Sequence, residues 1–335
     1  MKNKVKWGVI GSGGIALRRT IPEGFVPADN AVLTTVYGTN RTTNHAVAAQ
    51  FGVKAADTLD DLLAGDVDAV YIGSPVQAHV AQVAACAKAG KHVLCEKPLG
   101  RNVPEAEAIV AACQEAGVQL GTAFMMRFHT QHQAALKMIQ AGKLGRPVHA
   151  RAQLSCWYPP APNAFRQDPA LGGGGSLIDM GNHCIDLLEM FFGPVKAVSC
   201  FTKSIVHSYA SEDGAVVLLE FASGALGMVD VFFCIQDRCT RNALELYGSS
   251  GSILASGTIG QGSQGEMTAY LTSEKSAGIR IAPEPFNTYR AEVEAFSAAL
   301  LSGVPNPLPG EIGLHSQKIL AACYQSASTG RAVEV

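Results

Sequence analysis

This chain has little electrostatic bias. Its 26 Lys and Arg stand against 28 Asp and Glu, a net charge of −2 over 335 residues, and the basic residues are dispersed. That excludes an electrostatic case for nucleic acid or an anionic membrane surface. Paired cysteines are missing too. The nine cysteines (86, 95, 113, 156, 184, 200, 234, 239 and 323) are odd in number, form no C-x-x-C, and mostly lie in apolar segments. A disulfide framework is therefore not expected, and the thiols read as reduced residues of a cytoplasmic protein. No uncharged apolar run reaches about 18 residues, so no bilayer span is expected. Met1-Lys-Asn-Lys-Val-Lys-Trp7 leads straight into a strand, and no signal peptide is expected. His129 and His132 have i, i+3 spacing but no third ligand in the pattern, so no metal site is expected.

What is present divides into two parts, as the length suggests. Residues 1–124 alternate apolar strands (4–10, 31–37, 69–72, 92–95, 118–123) with helices from 15, at 43–51 and near 77–89 and 104–116. Alternation of this kind predicts an α/β fold, a doubly wound parallel Rossmann sheet. From 125 to 335 the pattern changes. A helix near 130–141 is followed by strand-like runs at 147–155, 194–202, 214–222, 225–235 and 241–247, with turns such as Gly248-Ser-Ser-Gly251. This predicts an α+β domain with an open, mostly antiparallel sheet. Helices near 176–192, 288–302 and 311–327 would cover one face, leaving the other for a partner subunit. The Gly- and Ser-rich stretch 256–265 reads as a loop.

The first strand ends in Gly11-Ser-Gly13-Gly14-Ile15-Ala16, a G-x-G-x-x-A turn into a helix. Gly11 suits the tight turn, Gly13 the close approach of a pyrophosphate, and Ala16 the packing of helix on strand. NAD-selective folds keep an acid after strand two for the ribose 2′-hydroxyl. Residues 30–56 contain no Asp or Glu, and Gly38-Thr39-Asn40-Arg41 offers hydroxyl, amide and guanidinium donors instead. NADP(H) is therefore the expected cofactor, with NAD(H) the alternative; the competing view of residues 39–41 is an ordinary solvated loop.

Further along lies His92-Val-Leu-Cys-Glu96-Lys97-Pro98-Leu-Gly100. Pro98 disfavours a helical backbone at Lys97 and holds its ammonium at a strand end. There it can bond a reacting oxygen, or it is a surface lysine beside Glu96. Asp179 and His183 are four apart on a predicted helix, so a carboxylate lies near an imidazole suited to proton transfer. Ser176-Leu-Ile-Asp179 also fits a capping box. Arg127 and His129 follow the last strand of the first part. Trp157, Tyr158, Arg166 and Asp168, in a Pro-rich loop, suit stacking on and bonding to a polyol, or plain packing.

Together these motifs resemble the glucose–fructose oxidoreductase / inositol dehydrogenase / MocA (Gfo/Idh/MocA) family across essentially the whole chain. The resemblance rests on GSGGIA at 11–16, YIGSPVQAH at 71–79, AGKHVLCEKPLG at 89–100 and GGGGSLIDMGNHCIDLL at 172–188, and is nearest the sugar reductase branch. It departs from that branch at Met125-Met-Arg-Phe-His129, so a specific substrate does not transfer. The resemblance implies an NAD(P)-dependent oxidoreductase moving a hydride between nicotinamide and a secondary alcohol or ketone of a sugar, inositol or related polyol. It implies a catalytic set of Lys97, Asp179 and His183, and a cofactor set of Gly11, Gly13, Gly14, Ile15, Thr39, Asn40, Arg41, Ser74, Pro75, His79, Glu96 and Lys97. Substrate would meet Arg127, Trp157, Tyr158, Arg166, Asp179 and His183. A homodimer or homotetramer through the second sheet is also implied. The alternatives are a family glycosidase that oxidises its sugar transiently with NAD, or a silent cofactor-binding regulator.

Overall fold

The computed structural model describes residues 4–274 and 278–335. Two compact units emerge, Met1–Met125 with Tyr289–His315, and Met126–Thr288 with Ser316–Val335.

The first unit is built on a parallel sheet of six strands: β1 Val5–Ile10, β2 Ala31–Tyr37, β3 Lys54–Ala55, β4 Ala69–Ile72, β5 His92–Glu96 and β6 Leu120–Ala123. Their order is β3-β2-β1-β4-β5-β6, and every pairing is parallel. The buried positions of the central strands β1, β4 and β5 are apolar on both faces of the sheet because helices cover both. The first helix, Ala16–Phe25, is π-helical and contains Pro22. It is followed by α1 Arg41–Phe51, α2 Leu59–Leu63, α3 His79–Lys88 and α4 Val103–Glu115. The strand order reverses between β1 and β4, so the ligand crevice of such a sheet lies beyond their carboxyl ends.

The helix Thr288–Ser302 belongs here and does not cover the second sheet as the sequence suggests. Its Val293 and Phe296 are buried with Trp7, Phe25, Tyr71 and Leu94. Trp7 is fully buried and meets Phe25 and Phe296 at centroid distances of 5.3 and 5.5 Å. Its indole N–H donates to Ser297 Oγ at 3.0 Å, satisfying the one polar atom the ring brings inside. Burial of Phe296 contributes about 1.5–3 kcal/mol. A Cβ at Gly121 would sit 2.7 Å from its ring, so β6 needs glycine there.

The second unit holds a nine-stranded sheet in the order β14-β13-β12-β11-β7-β10-β9-β8-β15. Its main strands are β7 Pro147–Ser155, β8 Val195–Lys203, β9 Gly214–Phe221, β10 Leu226–Phe232 and β11 Ala243–Gly248. β7 and β10 pair in parallel and all other pairs are antiparallel. Beyond the strands expected come β12 Gly251–Ser256, β13 Glu266–Leu271, β14 Ile279–Arg280 and β15 Val333–Glu334. Residues 257–265 between β12 and β13 form a loop, as their composition suggests. The helices are α5 Thr130–Gln140, α6 Pro169–Gly172, a π-helical turn Leu177–Gly181, and α7 Asn182–Phe192, which packs on β7 and β10. The helix Gly310–Thr329 is tied to β8 where Cys200 N–H donates to Ser326 Oγ at 3.0 Å.

Candidate functional site

In the first unit the predicted cofactor residues gather at the β1–β4 edge. Gly11 has φ +84°, and a Cβ there would lie 2.4 Å from the Ser74 nitrogen, so only glycine lets the two turns meet. Gly73 N–H donates to Ile10 O at 2.8 Å, closing the same contact. Ala16 is fully buried, close to Gly73. Cβ atoms on Gly13 or Gly14 would meet nothing within 4 Å, and Ile15 is half-buried at the start of the helix. This open backbone at a helix N-terminus fits a dinucleotide pyrophosphate. Gly38 lies against Ser12: a Cβ on Gly38 would be 2.5 Å from the buried Ser12 Oγ. That places residues 38–41 beside the glycine turn.

Several predicted cofactor residues have structural work of their own. Asn40 caps α1, its side chain accepting from Thr43 N–H at 3.0 Å, while Thr39 is exposed. Arg41 pairs with Asp57 at 2.5 Å, an acid one residue past the carboxylate-free stretch. Ser74 donates to Gln82 Oε1 at 2.5 Å, and Pro75 precedes the short turn Val76–Ala78. His79 is buried, with Nδ1 3.2 Å from Leu99 O and Nε2 3.0 Å from Ser74 O. Burial lowers its pKa. Its imidazole thus ties the turn after β4 to the segment after Pro98. Lys97 is half-buried just past β5, with a cis bond to Pro98, and its N–H donates to Glu96 Oε2 at 3.2 Å. Glu96 Oε1 accepts from the buried Tyr71 hydroxyl at 2.6 Å, and Thr20 Oγ1 donates to Tyr71 Oη at 3.0 Å. Sequence reasoning missed Tyr71 and Thr20, which look like core residues when taken singly.

In the second unit, Asp179 lies in the π-helical turn and His183 opens α7, both half-buried. Arg166 Nε is 2.9 Å from Asp179 Oδ1, and its guanidinium lies 4.5 Å from the Phe165 ring centroid. The capping-box reading fails. Ser176 has helical φ and ψ, makes no side-chain cap bond, and leaves its Oγ buried without a partner. Glu212 does that work, Oε1 accepting from Gly175 N–H (2.9 Å), Leu177 N–H (3.0 Å) and Tyr324 Oη (2.9 Å). Cβ atoms on Gly174 and Gly175 would lie 1.9 Å from Tyr324 Oη and 2.0 Å from Glu212 O. These two glycines are therefore fixed by packing within the protein, and Glu212 was not legible as their partner.

Other predicted substrate residues are already engaged. Arg127 Nε is 2.9 Å from both oxygens of Asp186, a buried residue on α7. Burial pushes the Asp186 carboxyl up to about 6 against the pull of Arg127. Trp157 N–H donates to Asp237 Oδ1 (2.8 Å) and its ring meets His207 edge-on at 4.7 Å. The Tyr158 ring packs 4.9 Å from Phe233, and Asp168 caps α6. His129 and His132 are buried 4.7 Å apart, and no cluster of three or more metal-ligating side chains occurs among the described residues.

Comparison with known families settles the ancestry. Residues 5–124 match an oxidoreductase family with an NAD-binding Rossmann fold, and residues 132–254 match the GFO/IDH/MocA C-terminal domain. The chain belongs to the Gfo/Idh/MocA family. It is 30% identical to the 1,5-anhydro-D-fructose reductase of Ensifer adhaerens, with 98% of each chain covered. It is 31% identical to a D-xylose 1-dehydrogenase (NADP(+)) of Haloferax volcanii, covering 98% of this chain and 99% of that one. The structure of aldose–aldose oxidoreductase from Caulobacter crescentus, complexed with glycerol, is 26% identical with a TM-score of 0.91, covering 99% of this chain and all of that one. Gfo/Idh/MocA membership thus accounts for the Rossmann sheet and the large open sheet together. No helix among the described residues is long and apolar enough to cross a membrane.

Proposed function

We propose that this chain is an NADP(H)-preferring oxidoreductase acting on a secondary alcohol or ketone of a sugar or related polyol. The observation that carries the reading is the place of Lys97, just past the carboxyl end of β5 with its backbone N–H bonded to Glu96 Oε2, in a sheet whose first turn leaves Gly13 and Gly14 open. When bound, the nicotinamide supplies or accepts the hydride. The chain's own residues handle the oxygen. Lys97 donates a hydrogen bond that stabilises developing negative charge. His183 gives or takes the hydroxyl proton, and Asp179, with Arg166 balancing its charge, orients the imidazole. Arg41 provides the charge for a 2′-phosphate, in line with the NADP(+) named for the Haloferax relative. Keto-sugars and polyols screened with both cofactors, followed at the nicotinamide absorbance, test this. Turnover with NADPH or NADP+ is expected, and no turnover across the panel would sink it.

The same reading includes a homodimer or homotetramer through the second sheet, in the cytoplasm. Phe201, Leu218 and Leu226 are exposed on neighbouring strands, a run of apolar surface that monomers rarely leave to water. Sedimentation of the Phe201→Glu variant should show a smaller species than the unmodified chain; identical monomers would contradict the assembly.

A further inference from the structure

The end of β2 meets the glycine turn. Gly11 N–H donates to Tyr37 O at 2.8 Å, and Gly38 is pressed against Ser12. The next residues open α1, whose first residue is Arg41 and whose second turn carries His45. Both basic side chains reach a single acidic oxygen. Asp57 Oδ1 lies 2.5 Å from Arg41 Nη2 and 3.6 Å from His45 Nε2. Asp57 itself comes from the segment after β3, the strand that pairs with β2 at the edge of the sheet. An anion is thus already seated where a guanidinium and an imidazole converge, next to the dinucleotide turn.

We propose that Asp57 is an internal counter-anion that occupies the 2′-phosphate position at Arg41 and thereby limits this chain's preference for NADP over NAD. The proposal rests on the reading of Arg41 as the 2′-phosphate ligand. All three side chains are more than half exposed, so no packing locks the pair. Exposed ion pairs contribute little, whereas a phosphate offers Arg41 a bidentate, charge-assisted contact. The phosphate therefore displaces the carboxylate from the guanidinium. The carboxylate remains close by, and its repulsion of the phosphate lowers NADP(H) affinity. NADH, with only a hydroxyl at that position, does not meet this repulsion. Asp57 therefore acts on discrimination between the cofactors and leaves the pyrophosphate contacts at Gly11 to Gly14 unaltered.

Dissociation constants of NADPH and NADH, measured by titration without substrate, test this in the full chain and in Asp57→Asn, Arg41→Ala and the double variant. Asp57→Ser serves as a second probe of the same position. Asp57→Asn is expected to bind NADPH roughly three- to tenfold more tightly, with NADH within about twofold. Arg41→Ala should weaken NADPH about tenfold or more, and adding Asp57→Asn to it should recover part of that loss, because the carboxylate repels the phosphate whether or not the guanidinium is present. If Arg41→Ala weakens NADPH but Asp57→Asn and Asp57→Ser leave it unchanged or weaker, Asp57 has no such role while the 2′-phosphate reading stands. If Arg41→Ala leaves NADPH unchanged, that reading falls and the proposal falls with it. Weaker NADH in Asp57→Asn would make Asp57 a ribose-hydroxyl ligand and overturn the proposal directly.

Discussion

Replacing Tyr71 with Phe removes one hydroxyl and keeps the ring, including its edge contact to Phe25 at 6.0 Å. That hydroxyl donates to Glu96 Oε1 at 2.6 Å and accepts from Thr20 at 3.0 Å. A hydrogen bond to a charged group contributes about 1.5–3 kcal/mol, and stranding the buried Thr20 donor costs about 1 kcal/mol more. A loss of about 2–4 kcal/mol from the first unit is expected. Burial, with Glu96 adding to it, raises the Tyr71 pKa well above its usual value, so the hydroxyl stays a donor and the loss should be flat from neutral pH to pH 9. Glu96 also receives the Lys97 N–H, so turnover should fall as well, by roughly tenfold or more if the ammonium shifts by about 1 Å. The chain has two tryptophans, and Trp7 lies in the first core. Urea unfolding followed by tryptophan fluorescence in a Trp157→Phe background therefore reports that unit alone. Stability within about 0.5 kcal/mol of the parent, with unchanged turnover, would refute the reasoning.

Glu212→Ala should cost several kcal/mol, about 1–3 kcal/mol for each stranded donor, while Glu212→Gln keeps the acceptor. Burial raises the Glu212 pKa, so the native state holds its proton more tightly than the unfolded chain. Stability of the parent relative to Glu212→Gln should therefore fall as pH rises through the range just above the ordinary glutamate value; an unfolding series showing the opposite slope would contradict this. His183→Asn should depress turnover and flatten its pH dependence, and Asp179→Asn should act through the same imidazole, so the double variant should lose much less than the product of the two. Multiplying losses would make Asp179 an independent substrate ligand, and since Ser176 makes no cap bond, a lost capping box is no longer available as the explanation.

Much of this was legible because local pattern and tertiary context agree. Strand β1, the glycine turn and the strand end before Lys97 all follow from short-range rules. The helix Thr288–Ser302 was misplaced because its apolar face names no partner; the buried Trp7 indole and its Ser297 acceptor, 290 residues away in sequence, decide that. Strand β12 was missed because only Ile253 and Ala255 are buried in a six-residue run. The carboxylate partners of Arg127 and Arg41 were not legible, because a sequence shows a guanidinium without its counter-ion; folding supplies the buried Asp186 to Arg127 and the exposed Asp57 to Arg41. Glu212 gave no local signal, since its work is to satisfy backbone N–H groups of residues 175 and 177.

The most direct test of the account is turnover of Lys97→Ala beside its cofactor affinity. Lys97 is assigned to the reacting oxygen and not to the phosphates. Turnover should fall on the order of 10²-fold or more, while NADPH affinity stays within a few-fold. A folded Lys97→Ala protein with near-normal turnover would contradict the central claim.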